Sequence, residues 1–290
     1  MKVTKGLIAA AGWSTRFLPS VKTYAKHLVP VWDKPNIQYQ VEAMLANGIN
    51  QICIVHRPGE ETIYKHFQID EILEEALAKT NKSHLTANLN QIISQAKFTF
   101  IPQSPTLPYG NATPILAAKD FLSQDPFVYF YGDDLIIEDK IGQFLGEMLA
   151  TFDKYQPAVV AAVQPVDSAT IQKLSTVKYK ENSLPNQIEA IVEKPTPEQI
   201  YSLDAMVSPF VMSPQITPLV ENLPVDRGEI WATTAINMLD QTSIVLAQKV
   251  TSGQWATTGD PQNWLISNIL MATRQNPELK AKLKELIANL

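Results

Sequence analysis

Apolar positions along this chain alternate between short unbroken runs and longer stretches where they recur every three or four residues. Leu7 and Ile8, followed by Ala9, Ala10 and Ala11, form a run with no polar interruption, the pattern of a strand covered on both faces. Behind Pro35, Ile37, Val41, Met44, Leu45 and Ile49 fall at helical spacing, and a proline suits a first helical turn. QICIVHR (51–57) then predicts a strand, and residues 60–96 predict helices with a break near Asn81. KFTFIPQ (97–103) predicts a strand, TPILAAKDFL (113–122) a helix, and PFVYFYGDDLI (126–136) a strongly β-prone run that includes Gly132-Asp133-Asp134. IGQFLGEMLATF (141–152) is helical and PAVVAAVQPV (157–166) is a strand by the same criteria.

The second half is less regular. IEAIVEKP (188–195), MVSPFVMSP (206–214) and SIVLAQKV (243–250) predict strands, 229–239 a helix, and everything after Pro261 helices. The alternation predicts an α/β fold: a doubly wound, mostly parallel, Rossmann-like mixed sheet with helices on both faces. No repeat, low-complexity tract or linker marks a boundary. A single domain over 1–290 with a C-terminal helical arm over 261–290 is the expectation.

Composition narrows the partners. The 290 residues are 45% hydrophobic and 18% charged, ordinary for a chain with a large core. A formal net charge of −5 argues against nucleic-acid binding, which needs a basic face. The single cysteine, Cys53, lies in an apolar run and supplies no disulfide framework. No run approaches the length of a membrane span, and the apolar stretch near Gly6 is too short, with Arg16 and lysines following, for a secretory signal. A cytoplasmic location is expected.

The first strand raises a chemical question. It ends in small residues, through Gly12, and runs into Ser14, Thr15, Arg16, Lys22 and Lys26. Ligands of open α/β sheets bind beyond the carboxyl ends of strands. Small residues there let a ligand approach the backbone, and N–H groups and cations can take up anionic oxygens. Neither the G-x-G-x-x-G nor the G-x-x-x-x-G-K-[ST] spacing is present, which disfavours a dehydrogenase or a P-loop NTPase. A tight turn with solvated basic residues is the alternative.

The stretch AAGWSTRFLPSVKTYAKHLVPVWDKPNIQY resembles the signature of the sugar-1-phosphate nucleotidyltransferases, A-A-G-x-G-T-R-F-L-P, T-K-x-x-P-K-E and D-K-P. Within that family it is most similar to the bacterial uridylyltransferases of UTP and glucose 1-phosphate. Gln103, Tyr109-Gly110-Asn111-Ala112, Gly132-Asp133-Asp134, Val192-Glu193-Lys194-Pro195 and Gly228-Glu229-Ile230 follow in the family's order, so the resemblance spans nearly the whole chain. It implies attack of a sugar 1-phosphate on the α-phosphorus of a nucleoside triphosphate, with Mg²⁺ and release of pyrophosphate. Ala10, Ala11 and Gly12 would line base and ribose, Gln103 and Gly110 would meet the uracil, and Arg16 and Lys26 would face the phosphates. Asp133 would be the Mg²⁺ ligand and Asp134 its hydrogen-bonding neighbour. Glu193, Lys194 and Glu229 would serve the sugar phosphate. UTP or dTTP and a sugar 1-phosphate are the implied partners, and a homo-oligomer is implied because relatives are commonly dimers or tetramers.

Each residue also has a plainer explanation. Lys22 fits a surface lysine, Gly-Asp-Asp and 104–110 fit turns, Glu193-Lys194 an exposed ion pair, and Glu229 a first-turn helix glutamate. The chain also departs from the family pattern. Ser14 replaces a glycine, Ala25 and His27 flank Lys26 in place of proline and glutamate, and Asn111 replaces a histidine. Ser208-Pro209 stands for Gly-Arg. Thr257 takes the place of a second metal-binding aspartate, with Asp260 the acid that could stand in, and Thr234 replaces another acid. The readings are therefore an active Mg²⁺-dependent nucleotidyltransferase or a catalytically weakened, regulatory nucleotide-binding homologue. A glycosyltransferase fits less well, because the Arg/Lys loop suits a triphosphate.

Overall fold

The computed structural model describes residues 2–240 and 242–289. Among them run thirteen strands: β1 (Lys5–Ala10), β2 (Pro30–Val31), β3 (Lys34–Pro35), β4 (Gln51–His56), β5 (Lys97–Pro102), β6 (Phe127–Tyr131) and β7 (Asp134–Glu138). Then come β8 (Val159–Pro165), β9 (Ser175–Tyr179), β10 (Ile188–Glu193), β11 (Asp204–Met212), β12 (Val245–Lys249) and β13 (Gly253–Thr257). Nine form one mixed sheet, in which β5, β4, β1 and β6 lie side by side and parallel. The reversal is at β11, which runs antiparallel to β6, β8 and β9, while β12 lies parallel to β8. This is the expected α/β mixed sheet, with β1 in the middle of its parallel half.

Period-two alternation explains why the central runs have no polar positions. Leu7, Cys53, Val55, Phe127 and Tyr129 pack on one face of the sheet. Ile8, Ile52, Ile54, Val128 and Phe130 pack on the other, against Ile37, Val41 and Met44 of helix Asn36–Ala46. Both faces are covered, so the buried middle of such a strand must be apolar or small. Burial pushes the Cys53 thiol up to about 12, which leaves it inert.

Three expectations change. The run 126–136 is two strands: the chain turns at Gly132-Asp133, and β7 leaves the main sheet to pair with β13. The helix expected over 113–122 breaks into Thr113–Ala117 and Lys119–Leu122. The helix expected from Glu229 spans only Ala232–Asn237, because Asp226 and Glu229 exchange backbone hydrogen bonds of 2.9 Å in a turn. The helices expected over 60–96 are present as Thr62–His66, Glu71–Lys79 and Ala87–Gln95, and the expected break falls where Asn81 adopts a left-handed φ of 58°. Residues after Pro261 form the helices Pro261–Gln275 and Pro277–Ala288, and no helix among the described residues is long and apolar enough to cross a membrane.

His66, at the end of Thr62–His66, sets a pH dependence. Its Nε2 lies 3.2 Å from Gln38 Oε1, its ring packs edge-on against Phe67, and burial lowers its pKa to about 4. An unfolded histidine titrates near 6.5, so below about 6.5 the unfolded chain takes up the proton that the folded protein refuses. Stability should therefore fall as pH drops through that window. Expected is a shallower decline of the melting temperature between pH 7 and pH 5 in His66→Gln, by on the order of a few degrees. A decline equal to the parent's would contradict this.

Candidate active site

The carboxyl ends of β1, β5 and β6 open onto a cleft of about 470 Å³. It brings together Ala11, Gly12, Arg16, Lys26, Gln103, Gly110, Asp133, Lys194 and Glu229, residues spread over more than two hundred positions of sequence. Ala10 differs from the expectation: alternation along β1 turns its side chain into the core, and Ala9 and Ala11 are the alanines that line the cleft. Lys22 is exposed and outside the cleft, as its surface reading had it.

The loop after β1 turns at Ser14. That residue takes φ 58° and ψ 30°, the left-handed region in which glycine is comfortable, at a conformational cost to a serine. The short turn Thr15–Phe17 follows and carries Arg16 to the rim. There the Arg16 guanidinium helps to hold down the Asp260 carboxyl, although burial opposes this and the Asn263 hydrogen bonds do more.

At the floor, Lys26 Nζ lies 2.5 Å from Asp133 Oδ2. Burial alone would raise the Asp133 pKa, but the Lys26 charge and hydrogen bond overcome it and hold the carboxyl down at about 2. His27 is buried behind them, and burial with the Lys26 charge pushes its pKa to about 3, so the ring stays neutral. Gly132 has to be small: a Cβ there would lie 2.4 Å from the Ala9 carbonyl oxygen and 2.7 Å from His27 Cδ2. Asp134 points away from the cleft, and its Oδ2 accepts from the Ser208 N–H at 3.1 Å and the Ser208 hydroxyl at 3.0 Å. Burial and then the Asp133 charge push its pKa up to about 7. Ser208-Pro209 lies inside β11, where the register with β8 shifts, rather than ahead of a strand.

On one flank, the Gln103 N–H continues the ladder by donating to the His56 carbonyl at 2.8 Å, which leaves the Gln103 side chain at the cleft wall. Gly110 crosses the Ile230 backbone at φ 140°, so close that a Cβ would lie 2.0 Å from the Ile230 oxygen. On the other flank, Lys194 Nζ sits 4.3 Å from the centre of the Trp231 ring. Glu229 lines the cleft from a turn, not from a helix. Glu193 does not line it: its Oε2 accepts from the Thr233 hydroxyl at 3.2 Å, and burial raises its pKa. Trp13, Tyr109, Tyr131 and Trp231 also line the cleft. Their adjacency to the singled-out motifs was the available signal.

A sequence profile described as nucleotidyl transferase matches residues 5–265. The UTP–glucose-1-phosphate uridylyltransferase of Streptococcus pneumoniae is 31% identical over 294 residues, covering 100% of this chain and 96% of that protein. This chain belongs to the nucleotidyl transferase family. A Pseudomonas aeruginosa protein also named UTP–glucose-1-phosphate uridylyltransferase is 29% identical over 266 residues, 91% of this chain and 94% of that one. The solved UTP-bound UGPase from Acinetobacter baumannii matches with a TM-score of 0.86 and 29% identity over 100% of both chains.

This nucleotidyl transferase offers few metal ligands. Among the described residues no group of three or more His, Cys, Asp or Glu could hold an ion. Thr257, paired with Asp134 across the β7–β13 ladder, donates its hydroxyl to the Asp133 carbonyl at 3.3 Å. Asp260 does not stand in for a second carboxylate: it caps helix Pro261–Gln275, accepting from the Asn263 N–H at 2.9 Å and the Asn263 amide at 2.7 Å. What remains is the Asp133 carboxylate. One carboxylate fits Mg²⁺, which usually draws its other ligands from substrate phosphates and water.

Proposed function

We propose that this protein transfers a uridylyl group from UTP to a sugar 1-phosphate, with glucose 1-phosphate as the expected acceptor. The observation that carries the proposal is the Lys26–Asp133 pair at the floor of a cleft walled on one side by Gln103 and Gly110 and on the other by Lys194 and Glu229. A phosphate oxygen of the sugar 1-phosphate forms a bond to the α-phosphorus while the bond to the bridging oxygen breaks. Pyrophosphate leaves with that electron pair. No covalent enzyme intermediate is required, so the protein's work is positioning and charge stabilisation.

The Gln103 amide, donor and acceptor at once, can read a pyrimidine edge. Arg16 and Lys26 neutralise the triphosphate, and Lys194, steadied over Trp231, takes the sugar phosphate. Asp133, held ionised by Lys26, would ligate Mg²⁺, which supplies further neutralisation of phosphate charge when bound. A reducing cytoplasm suits the buried, free Cys53.

A second reading, a nucleotide-binding homologue with slow catalysis, is favoured by the hydroxyl at Thr257. One assay separates the two: purified protein, Mg²⁺, a panel of triphosphates including UTP and dTTP, and a panel of sugar 1-phosphates, with pyrophosphate release followed. Turnover with UTP and glucose 1-phosphate supports transfer. Measurable UTP binding without pyrophosphate from any pair supports the second reading. In the same assay Thr257→Asp is expected to lower the Mg²⁺ concentration giving half-maximal rate, because a carboxylate is a far better ligand than a hydroxyl. An unchanged Mg²⁺ dependence would place residue 257 out of the ion's reach.

A further inference from the structure

The family resemblance gives no role to Asn111, which stands where the motif has histidine. In the fold its side chain bridges segments of both flanks of the cleft. Its Oδ1 accepts from the Ala232 N–H at 2.7 Å, and its Nδ2 donates to Tyr131 Oη at 3.1 Å. Its carbonyl accepts from Tyr129 Oη at 2.5 Å. On either side of it the backbone is stitched to the same partner segment: Ile230 N–H donates to the Tyr109 carbonyl at 2.7 Å, and Ala112 N–H donates to the Ile230 carbonyl at 3.2 Å.

These contacts join three parts of the cleft. Tyr109–Ala112 belongs to the flank of Gln103, Ile230–Ala232 to the flank of Lys194, and Tyr131 to the strand that delivers Asp133. Ala232 is the first residue of its helix, so its N–H has no partner within that helix. Asn111 satisfies it from outside. The residue before it, Trp231, is the ring against which Lys194 lies.

We propose that Asn111 is a positioning residue: its carboxamide fixes the start of helix Ala232–Asn237, and through Trp231 it holds Lys194 where the sugar phosphate binds. This rests on the uridylyl transfer proposed above, in which Lys194 meets the acceptor and Gln103 the donor. The nucleotide flank keeps its own backbone bonds, from Gln103 to His56 and from Ile230 to Tyr109, when the carboxamide is lost. Removing it should therefore harm the acceptor more than the nucleotide.

The test has two arms on the full chain. Without substrate, Asn111→Ala should speed hydrogen exchange of the Ala232 amide at least tenfold, the scale of one lost buried hydrogen bond, and leave β1 unchanged. In steady state the KM for glucose 1-phosphate should rise about tenfold while that for UTP stays within about twofold. Asn111→Asp keeps an acceptor for both the Ala232 N–H and the Tyr131 hydroxyl, and should restore most of the amide protection. If Asn111→Ala does not fold, Tyr131→Phe removes only one of the bonds and should show the same acceptor bias in smaller measure. Unaltered Ala232 exchange, or equal changes in both KM values, would overturn the assignment. A parent protein that turns over no substrate pair would refute the uridylyl transfer reading instead, and the exchange arm would still decide whether Asn111 fixes Ala232.

Discussion

Lys26→Ala is expected to lower the turnover of UTP and glucose 1-phosphate by about 10²–10³, the usual scale for losing one preorganised charge from a transferring group. Two effects act in the same direction. The ammonium that meets the phosphates disappears. The Asp133 carboxyl, now held at about 2 against its burial, also loses the charge and hydrogen bond that keep it ionised, so its pKa climbs. Its affinity for a divalent ion should fall with it. The fold should survive, since the Lys26 side chain faces a cleft rather than packing a core. Lys26→Arg should recover part of the rate, because a guanidinium keeps the charge but not the compact point geometry. Melting temperatures measured alongside the rates exclude unfolding as the cause. A rate within tenfold of the parent, in a folded Lys26→Ala protein, would contradict the role given to Lys26.

Gly110→Ala is expected to abolish most activity and also to destabilise the protein. The added Cβ would stand 2.0 Å from the Ile230 oxygen and 2.5 Å from the Ile230 nitrogen, and both are backbone atoms that cannot swing aside. The φ of 140° adds strain for any L residue. Either the strip Tyr109–Ala112 separates from Ile230 or both segments move, and the two walls of the cleft part in each case. Activity should drop below about one hundredth of the parent and the melting temperature by on the order of 5–10 °C. Gly48→Ala is the control: Gly48 also has a positive φ, 74°, but nothing lies within 4 Å of the added carbon. It should show the conformational cost without the loss of activity. Equal effects at the two glycines would mean that the close approach to Ile230 is unimportant.

The strands of the parallel half were legible because being covered on both faces leaves a run such as Leu7-Ile8-Ala9-Ala10 no polar position. Strands β9 and β13 were not, since STVKY and GQWAT mix small, polar and aromatic residues, and β13 owes its pairing to β7, more than a hundred residues back along the chain. The break at Gly132-Asp133 was hidden inside a β-prone run. The close passage of Ala9 and His27 shows why residue 132 must be small.

The site was legible as motifs, and the cleft does gather Arg16, Lys26, Gln103, Gly110, Asp133, Lys194 and Glu229. Orientation within a motif was not. Strand alternation decides that Ala10 is core and Ala9 is wall. Capping geometry decides that Asp260 belongs to a helix terminus, and a turn at Asp226–Glu229 decides where the helix near Trp231 begins. Asn111 looked like a simple departure from the family's pattern until its partners, Tyr131 and Ala232, came from two other segments.

The central claim is that donor and acceptor phosphates meet above Lys26 and Asp133. A crystal structure of the protein soaked with UTP tests it most directly. The uracil edge is expected against Gln103 and Gly110, with an α-phosphate oxygen about 3 Å from Lys26 Nζ. A triphosphate lodged away from Lys26 and Asp133, with the base turned from Gln103, would contradict it.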